Sequence, residues 1–183
     1  MAHGSELHSV GSETLAVVPL GLDDFSSLRY LHITALRAQT AEVLSDAEMA
    51  AFIKLVNSVA YTELLMREEI YGGWLHGELV GTVSWQASAD SGATARIGSV
   101  FARHPRLGIG RQLLAAVEGR AQRCGFVQFA ACVTANAVPF FERQGYRVAS
   151  RGVRTLTSEC ALPVTFMKKV APRPRYATSS TLM

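Results

Sequence analysis

Apolar residues recur along this chain with two periods, and the switches between them mark its elements. Thr14 to Leu20 (TLAVVPL) is rich in β-branched residues and predicts a first strand. After Asp23 or Asp24, either of which can cap a helix, Leu28, Leu31 and Ala35 return at helical spacing. Ser45-Asp46-Ala47-Glu48 has the form of a capping box, and Met49, Phe52, Leu55, Val56 and Val59 make one apolar stripe behind it. That stripe reads as core-facing. Two strand-like runs, Ile70 to Leu75 and Leu79 to Trp85, flank His76-Gly77-Glu78, a turn containing Gly, and so predict a hairpin over 70–86.

Ser88 to Thr94 is a polar loop, and Ile97 to Phe101 is an apolar strand. A short basic loop then leads to Gly108-Ile109-Gly110, which opens a helix carrying Leu113, Leu114, Val117 and Ala121 on one face and stopped by Gly125. Val127 to Thr134 is a strand free of Pro and Gly, suited to a central place in a sheet. Asn136 reads as the N-cap of a short helix with Pro139 in its first turn and Gly145 at its end. Arg147 to Thr155 and Pro163 to Val170 predict two last strands. Residues 1–12 read as a flexible arm, in which His3 and His8 belong to a mobile tail, and 171–183 as a disordered Pro/Ser/Thr-rich tail. One domain over 13–170 remains, with no internal repeat.

Composition narrows the class. A chain of 183 residues with 49% hydrophobic content can build a normal core without disulfides or metal. The net charge is only +3, Lys occurs at 54, 168 and 169 alone, and the Arg residues are scattered apart from a group at 103–111. That pattern excludes a nucleic-acid face neutralising many phosphates. Cys124, Cys132 and Cys160 are odd in number, lack metal-ligand spacing and read as reduced core thiols. With no long apolar run and no signal-peptide core at the N-terminus, a soluble cytoplasmic protein without membrane contact is expected.

The chemistry concentrates in Ile97–Leu114 (IGSVFARHPRLGIGRQLL). A strand, a loop and a helix start turn several backbone N–H groups towards one point at the positive end of a helix dipole. Gly at 108 and 110 leaves that backbone uncovered, and Arg103, Arg106 and Arg111 add positive charge. The arrangement is a phosphate or pyrophosphate cradle. The third Gly of a dinucleotide fingerprint is missing, and no Lys supplies a Walker-type loop.

What remains resembles motif A of the GNAT acyltransferase superfamily, V-x-P-x-x-Q/R-x-x-G-x-G/A, in Val100 followed by Arg106-Leu107-Gly108-Ile109-Gly110. Ala102 stands where Pro is usual, and Pro105 where Gln or Arg is usual. In that family the loop amides hold the pyrophosphate of acetyl-CoA. The resemblance therefore implies acetyl-CoA as co-substrate, bound by Val100, Phe101, Ala102, Arg106, Leu107, Gly108, Ile109, Gly110 and Arg111. Asn136–Tyr146 (NAVPFFERQGY) resembles motif B, whose Asn bonds the pantetheine arm and whose Tyr protonates the departing thiolate. This adds Asn136 and Phe141 to the implied site, although a phenyl ring has no proton to give. Tyr146 is a separate position and reads as core. A Gly-Glu-Leu-Val-Gly turn before motif A, here Gly77 to Gly81, is a further likeness.

The resemblance spans roughly residues 14–170 and implies an α+β fold in αβα layers. A mixed, mostly antiparallel twisted sheet of six or seven strands would carry helices on both faces and open a V between 97–102 and 127–134. The first two helices would wall the acceptor site. The implied activity is acetyl transfer from acetyl-CoA to an amine of a small molecule or amino acid, with an oxyanion donor near Val100 or Phe101. A CoA-binding sensor or partner protein, and a protein N-terminal or lysine acetyltransferase, remain as alternatives. Homodimers are common in the family. Many relatives carry an acid near the start of the motif A strand; this chain has Thr94-Ala95-Arg96 there, with Asp90 the nearest carboxylate. Ser99 and His104 are candidates to relay the amine proton through water, His76 reads as an exposed turn residue, and no catalytic side chain is assigned.

Overall fold

The computed structural model describes residues 14–89, 92–158 and 160–171. The arm at 1–12, Asp90 and all of the C-terminal tail except Ala171 lie outside them. Ala171 itself is buried and donates its N–H to Val127 O at 2.8 Å, so it belongs to the folded domain rather than to a tail.

Among the described residues seven strands form one sheet: β1 (Ala16–Pro19), β2 (Glu69–Leu75), β3 (Glu78–Ala87), β4 (Thr94–Ala102), β5 (Gln128–Val133), β6 (Arg147–Thr157) and β7 (Cys160–Val170). Their order is β1-β2-β3-β4-β5-β7-β6, antiparallel throughout except for the β4–β5 pair. The expected mixed, mostly antiparallel sheet is present, with β5 in its interior.

Helices cover both faces. On one, α4 (Ile109–Arg123) and α5 (Val138–Arg143) pack Leu113, Leu114, Val117 and Phe141 against Val83, Ile97, Phe129 and Met167. Gly81 permits this closeness, because a β-carbon there would come within 2.9 Å of side-chain carbons of both Leu113 and Ile109. On the other face lie α1 (Phe25–Gln39), α2 (Asp46–Val56) and α3 (Val59–Leu65), which bury Leu28, Leu31, Val56 and Leu65 against Ile70 and Leu79. No described helix is long and apolar enough to cross a membrane.

Local signals explain most boundaries. The hairpin turn needs only His76 and Gly77, at φ of 51° and 76°, the left-handed pair of a tight two-residue connection. The Ser45 capping box forms in full, with Ser45 Oγ accepting from Glu48 N and Glu48 Oε2 accepting from Ser45 N. Ser45→Ala is accordingly expected to lower stability by ~1 kcal/mol, read as a shifted urea midpoint with unchanged slope. A wild-type midpoint would show that the box does not hold α2.

Several expectations need correction. The stripe behind Ser45 does not continue to Val59: α2 ends at Val56, Ser58 caps a new helix by accepting from Tyr61 N, and Val59 is 75% exposed. β4 starts at Thr94 rather than Ile97, since its polar beginning is paired on both sides, to β3 and to β5. β7 starts at Cys160, ahead of Pro163. Pairing with β5 begins only at Thr165, so Pro163 has a strand on one side, where a missing N–H is tolerated. Asn136 is not an N-cap; it sits within a 3-10 turn over Ala135–Ala137, and the short helix begins at Val138. The cysteines are all free, yet Cys124 is exposed and Cys132 and Cys160 are half-buried, so none is a fully buried core thiol.

Candidate active site

β4 and β5 run side by side only from Thr94↔Gln128 to Ile97↔Ala131, although β4 continues to Ala102. Beyond that point β5 pairs only with β7, and the sheet opens into a V. The cause lies in β4. Thr82 faces Phe101 and Ser84 faces Gly98, so Val83 alone opposes both Ser99 and Val100. That count defines a bulge. Ser99 holds a φ of 49° there, a left-handed conformation that a residue with a side chain keeps only when its surroundings fix it.

A buried hydrogen-bond chain does the fixing. Thr82 Oγ1 donates to Ser99 O at 2.8 Å. Having spent its one proton, Thr82 accepts from His32 Nε2 at 2.7 Å, which sets the tautomer. His32 Nδ1 is then an acceptor and receives a hydrogen bond from the Tyr61 hydroxyl, also at 2.7 Å. Complete burial keeps the ring neutral, with its pKa pushed down to about 3, and raises that of Tyr61. The ring also lies on Phe101, centroids 4.1 Å apart. Sequence periodicity gives no hint of this chain: His32 is one polar residue within an apolar helix face.

At the mouth of the V, α4 begins. Gly108 precedes it at φ 77° and offers no side-chain cap, and the first intrahelical bond there is Gln112 N to Gly108 O. The N–H groups of Ile109, Gly110 and Arg111 therefore have no acceptor among the described residues. A β-carbon at 108 would meet only Gln112 Nε2, 4.0 Å away, so the backbone lies open to a ligand. Arg106, Leu107 and Arg111 are exposed around it, Arg106 at φ 73°. Arg103 turns away to pair with Glu78 at 2.8 Å, and His104 is exposed.

Other residues named from the sequence take different places. Val100, Phe101 and Ala102 line the β4 arm of the V, half-buried, and Ala102 O accepts from Gln39 Nε2 at 2.5 Å. Asn136 donates its amide to Gln39 O at 3.0 Å and accepts from Thr134 Oγ1, so Gln39 and Asn136 link the ends of β4, α1 and β5. Phe141 is 3% exposed, edge-on to Phe140 and Tyr146 within the core, and presents no face to the V. Phe140 is the ring beside the loop: a β-carbon at Gly110 would sit 3.3 Å from it. Tyr146 is core, donating to Glu118 at 2.8 Å while Lys169 holds the other Glu118 oxygen at 2.6 Å.

The sequence of residues 40–158 matches the profile of the acetyltransferase (GNAT) domain, well over half of the chain. The chain belongs to the GNAT acetyltransferase family. Solved structures agree in fold. A GCN5-related N-acetyltransferase from Rhodopseudomonas palustris superposes with a TM-score of 0.77 at 20% identity, covering 86% of this chain and 96% of that one. PaiA N-acetyltransferase from Thermoplasma acidophilum, in complex with coenzyme A, gives 0.63 at 16% identity over 86% and 99% of the two chains. For yncA from Salmonella typhimurium, with its cofactor acetyl-CoA, the values are 0.60, 16%, 91% and 99%. No curated protein matches the chain in sequence.

The GNAT domain also holds a carboxylate that sequence reading passes over. Glu68 lies between α3 and β2, in a Met-Arg-Glu-Glu run that reads as a polar connection. Its side chain turns inward onto the α1–α3 face of the sheet. Ser84 Oγ donates to Oε2 at 2.5 Å, and Gln86 Nε2 to Oε1 at 3.3 Å. Burial raises its pKa, while Ser84, the Arg96 and Arg154 guanidiniums and Ser99 draw it part of the way back.

Proposed function

We propose that this GNAT protein moves an acetyl group from acetyl-CoA to the amine of a small molecule or amino acid. The observation that carries the reading is the juxtaposition of two features. The unpartnered N–H groups at the start of α4 form an anion cradle suited to a pyrophosphate, and it opens onto the V between β4 and β5. Ile109, Gly110 and Arg111 hold the pyrophosphate through their backbone. The pantetheine arm lies along Val100–Ala102, with its thioester at the Ser99 bulge. A backbone N–H at Val100 or Phe101 donates to the oxyanion, and the His32–Thr82–Ser99 chain keeps that segment in place. Alignment of the two substrates in the V supplies most of the rate, a contribution that reaches ~7–11 kcal/mol in well-oriented systems. Phe141 gives no proton to the leaving group, so the thiolate takes one released by the amine.

Calorimetry with acetyl-CoA, followed by thiol-release assays on a panel of amines, tests this. Binding with turnover on one of the amines is the expected result and names the substrate class. Binding with no turnover would instead favour a CoA-responsive sensor, and no binding would overturn both.

A further inference from the structure

Where many relatives place an acid, β4 of this chain holds Thr94, Ala95 and Arg96. The same face of the sheet nonetheless receives a carboxylate, carried in from the α3–β2 connection. We infer that Glu68 is the catalytic base that takes the proton of the acceptor's ammonium group. The inference rests on the acetyl-transfer reading above.

Position is the first argument. A β-carbon at Gly98 would lie 3.6 and 3.7 Å from the two Glu68 carboxylate oxygens, so the carboxylate stands over bare β4 backbone one residue before the Ser99 bulge. That bulge is where the thioester carbonyl is placed. Orientation is the second argument. Ser84 and Gln86 each hold one oxygen, whereas a carboxylate has about four acceptor sites. Acceptor positions therefore stay available to an incoming amine.

The surroundings complete the case. Arg96 from β4 and Arg154 from β6 act on Glu68, Tyr61 of α3 feels its charge, and Cys132 of β5 lies beside the same two guanidiniums. Burial lifts the carboxyl above its ordinary range, and the donors and guanidiniums keep it ionisable. A carboxylate raised in this way is a more effective proton acceptor near neutrality than an exposed one.

The step balances. Glu68 takes one proton from the ammonium group and becomes neutral. The freed amine forms a C–N bond to the acetyl carbon, and the C–S bond breaks. The thiolate takes the second amine proton, and Glu68 returns the first to water. The products are an amide, a thiol and one solvent proton.

The test uses the full chain and the amine found to turn over best. The wild type should lose kcat/KM at acid pH as Glu68 protonates. Glu68→Gln is expected to lower kcat ~10²–10⁴-fold and to erase that acid limb, with acetyl-CoA affinity unchanged by calorimetry. Ser84→Ala keeps the carboxylate but removes a bond favouring its charged form, so the limb moves to higher pH while kcat recovers on the alkaline side. A Glu68→Gln enzyme with native kcat and a native limb overturns the assignment, and acetyl transfer itself survives. If that variant fails to fold, the Ser84→Ala profile decides, and a limb that stays in place overturns the role. A wild type inactive on every amine overturns the acetyl-transfer reading and the base with it.

Discussion

Gly110→Glu should weaken acetyl-CoA binding by ~100-fold, equivalent to ~3 kcal/mol in the dissociation free energy. Two effects combine. A β-carbon at 110 would lie 3.3 Å from the Phe140 ring, so the helix start or the ring must shift. The new carboxylate would also stand among the free N–H groups of Ile109, Gly110 and Arg111 and claim the attraction meant for phosphate. A helix N-terminus favours an anion by ~0.3–2 kcal/mol, and filling it with a fixed charge replaces that gain with repulsion. Gly108→Ala is the contrasting variant. Its β-carbon meets only Gln112 Nε2 at 4.0 Å, but a φ of 77° strains any residue with a side chain. It should lose ~1 kcal/mol of stability and keep most of its affinity. Calorimetry and a thermal melt on both variants separate the two effects. Native affinity in Gly110→Glu would remove the α4 terminus from the binding site.

His32→Phe should lower stability by ~2–4 kcal/mol while conserving ring volume. The Tyr61 hydroxyl loses its acceptor in a buried site, and Thr82 loses an incoming donor. For a domain of this size the melting temperature should fall by roughly 5–15 °C. The same variant carries a pH signature. Folded His32 takes a proton only near pH 3, whereas the unfolded chain's histidine does so near 6.5. Between those values the unfolded state binds more protons, so stability rises with pH across the window. It is fully present above about 6.5 and is lost on acidification at up to ~1.4 kcal/mol per pH unit. His32→Phe lacks that slope. The gap between wild type and variant should therefore narrow by ~2 kcal/mol from about pH 7 to about pH 5, measured by urea titration at both. A gap that stays constant would mean that His32 is not held neutral in the fold. Because the ring pins Thr82, and Thr82 pins the Ser99 carbonyl, kcat should fall as well.

Much of the scaffold is legible from short stretches of chain. The Ser45 box, the His76-Gly77 turn and the Gly108 helix start each depend on residues within a few positions of one another, so the chemistry that forms them is visible locally. Gly108-Ile109-Gly110 is the strongest case: one glycine before and one within the first turn of an amphipathic helix leave amides exposed at its positive end. The side chains of the site follow another logic. Phe140 and Phe141 are adjacent and chemically alike, and only the packing of α5 shows that 141 enters the core while 140 meets the loop. Asn136 reads as a cap because Asn favours caps, yet its amide finds Gln39, 97 residues away in the chain. Val59 continues an apolar stripe on paper, but a second capping serine redirects the chain first.

Helix starts, turns and the open amides at the head of α4 are properties of the sequence, because backbone conformation and capping are decided over a turn or two. The tautomer of His32, the bulge at Ser99 and the inward turn of Glu68 are properties of the folded sheet. Glu68 finds Ser84 sixteen residues on, and His32 finds Thr82 fifty residues on. Each is a polar residue whose partners exist only after β2, β3 and β4 have paired beneath the α1–α3 layer. Burial by that layer raises the Glu68 pKa and depresses that of His32, so the electrostatics of the site appear only with tertiary packing.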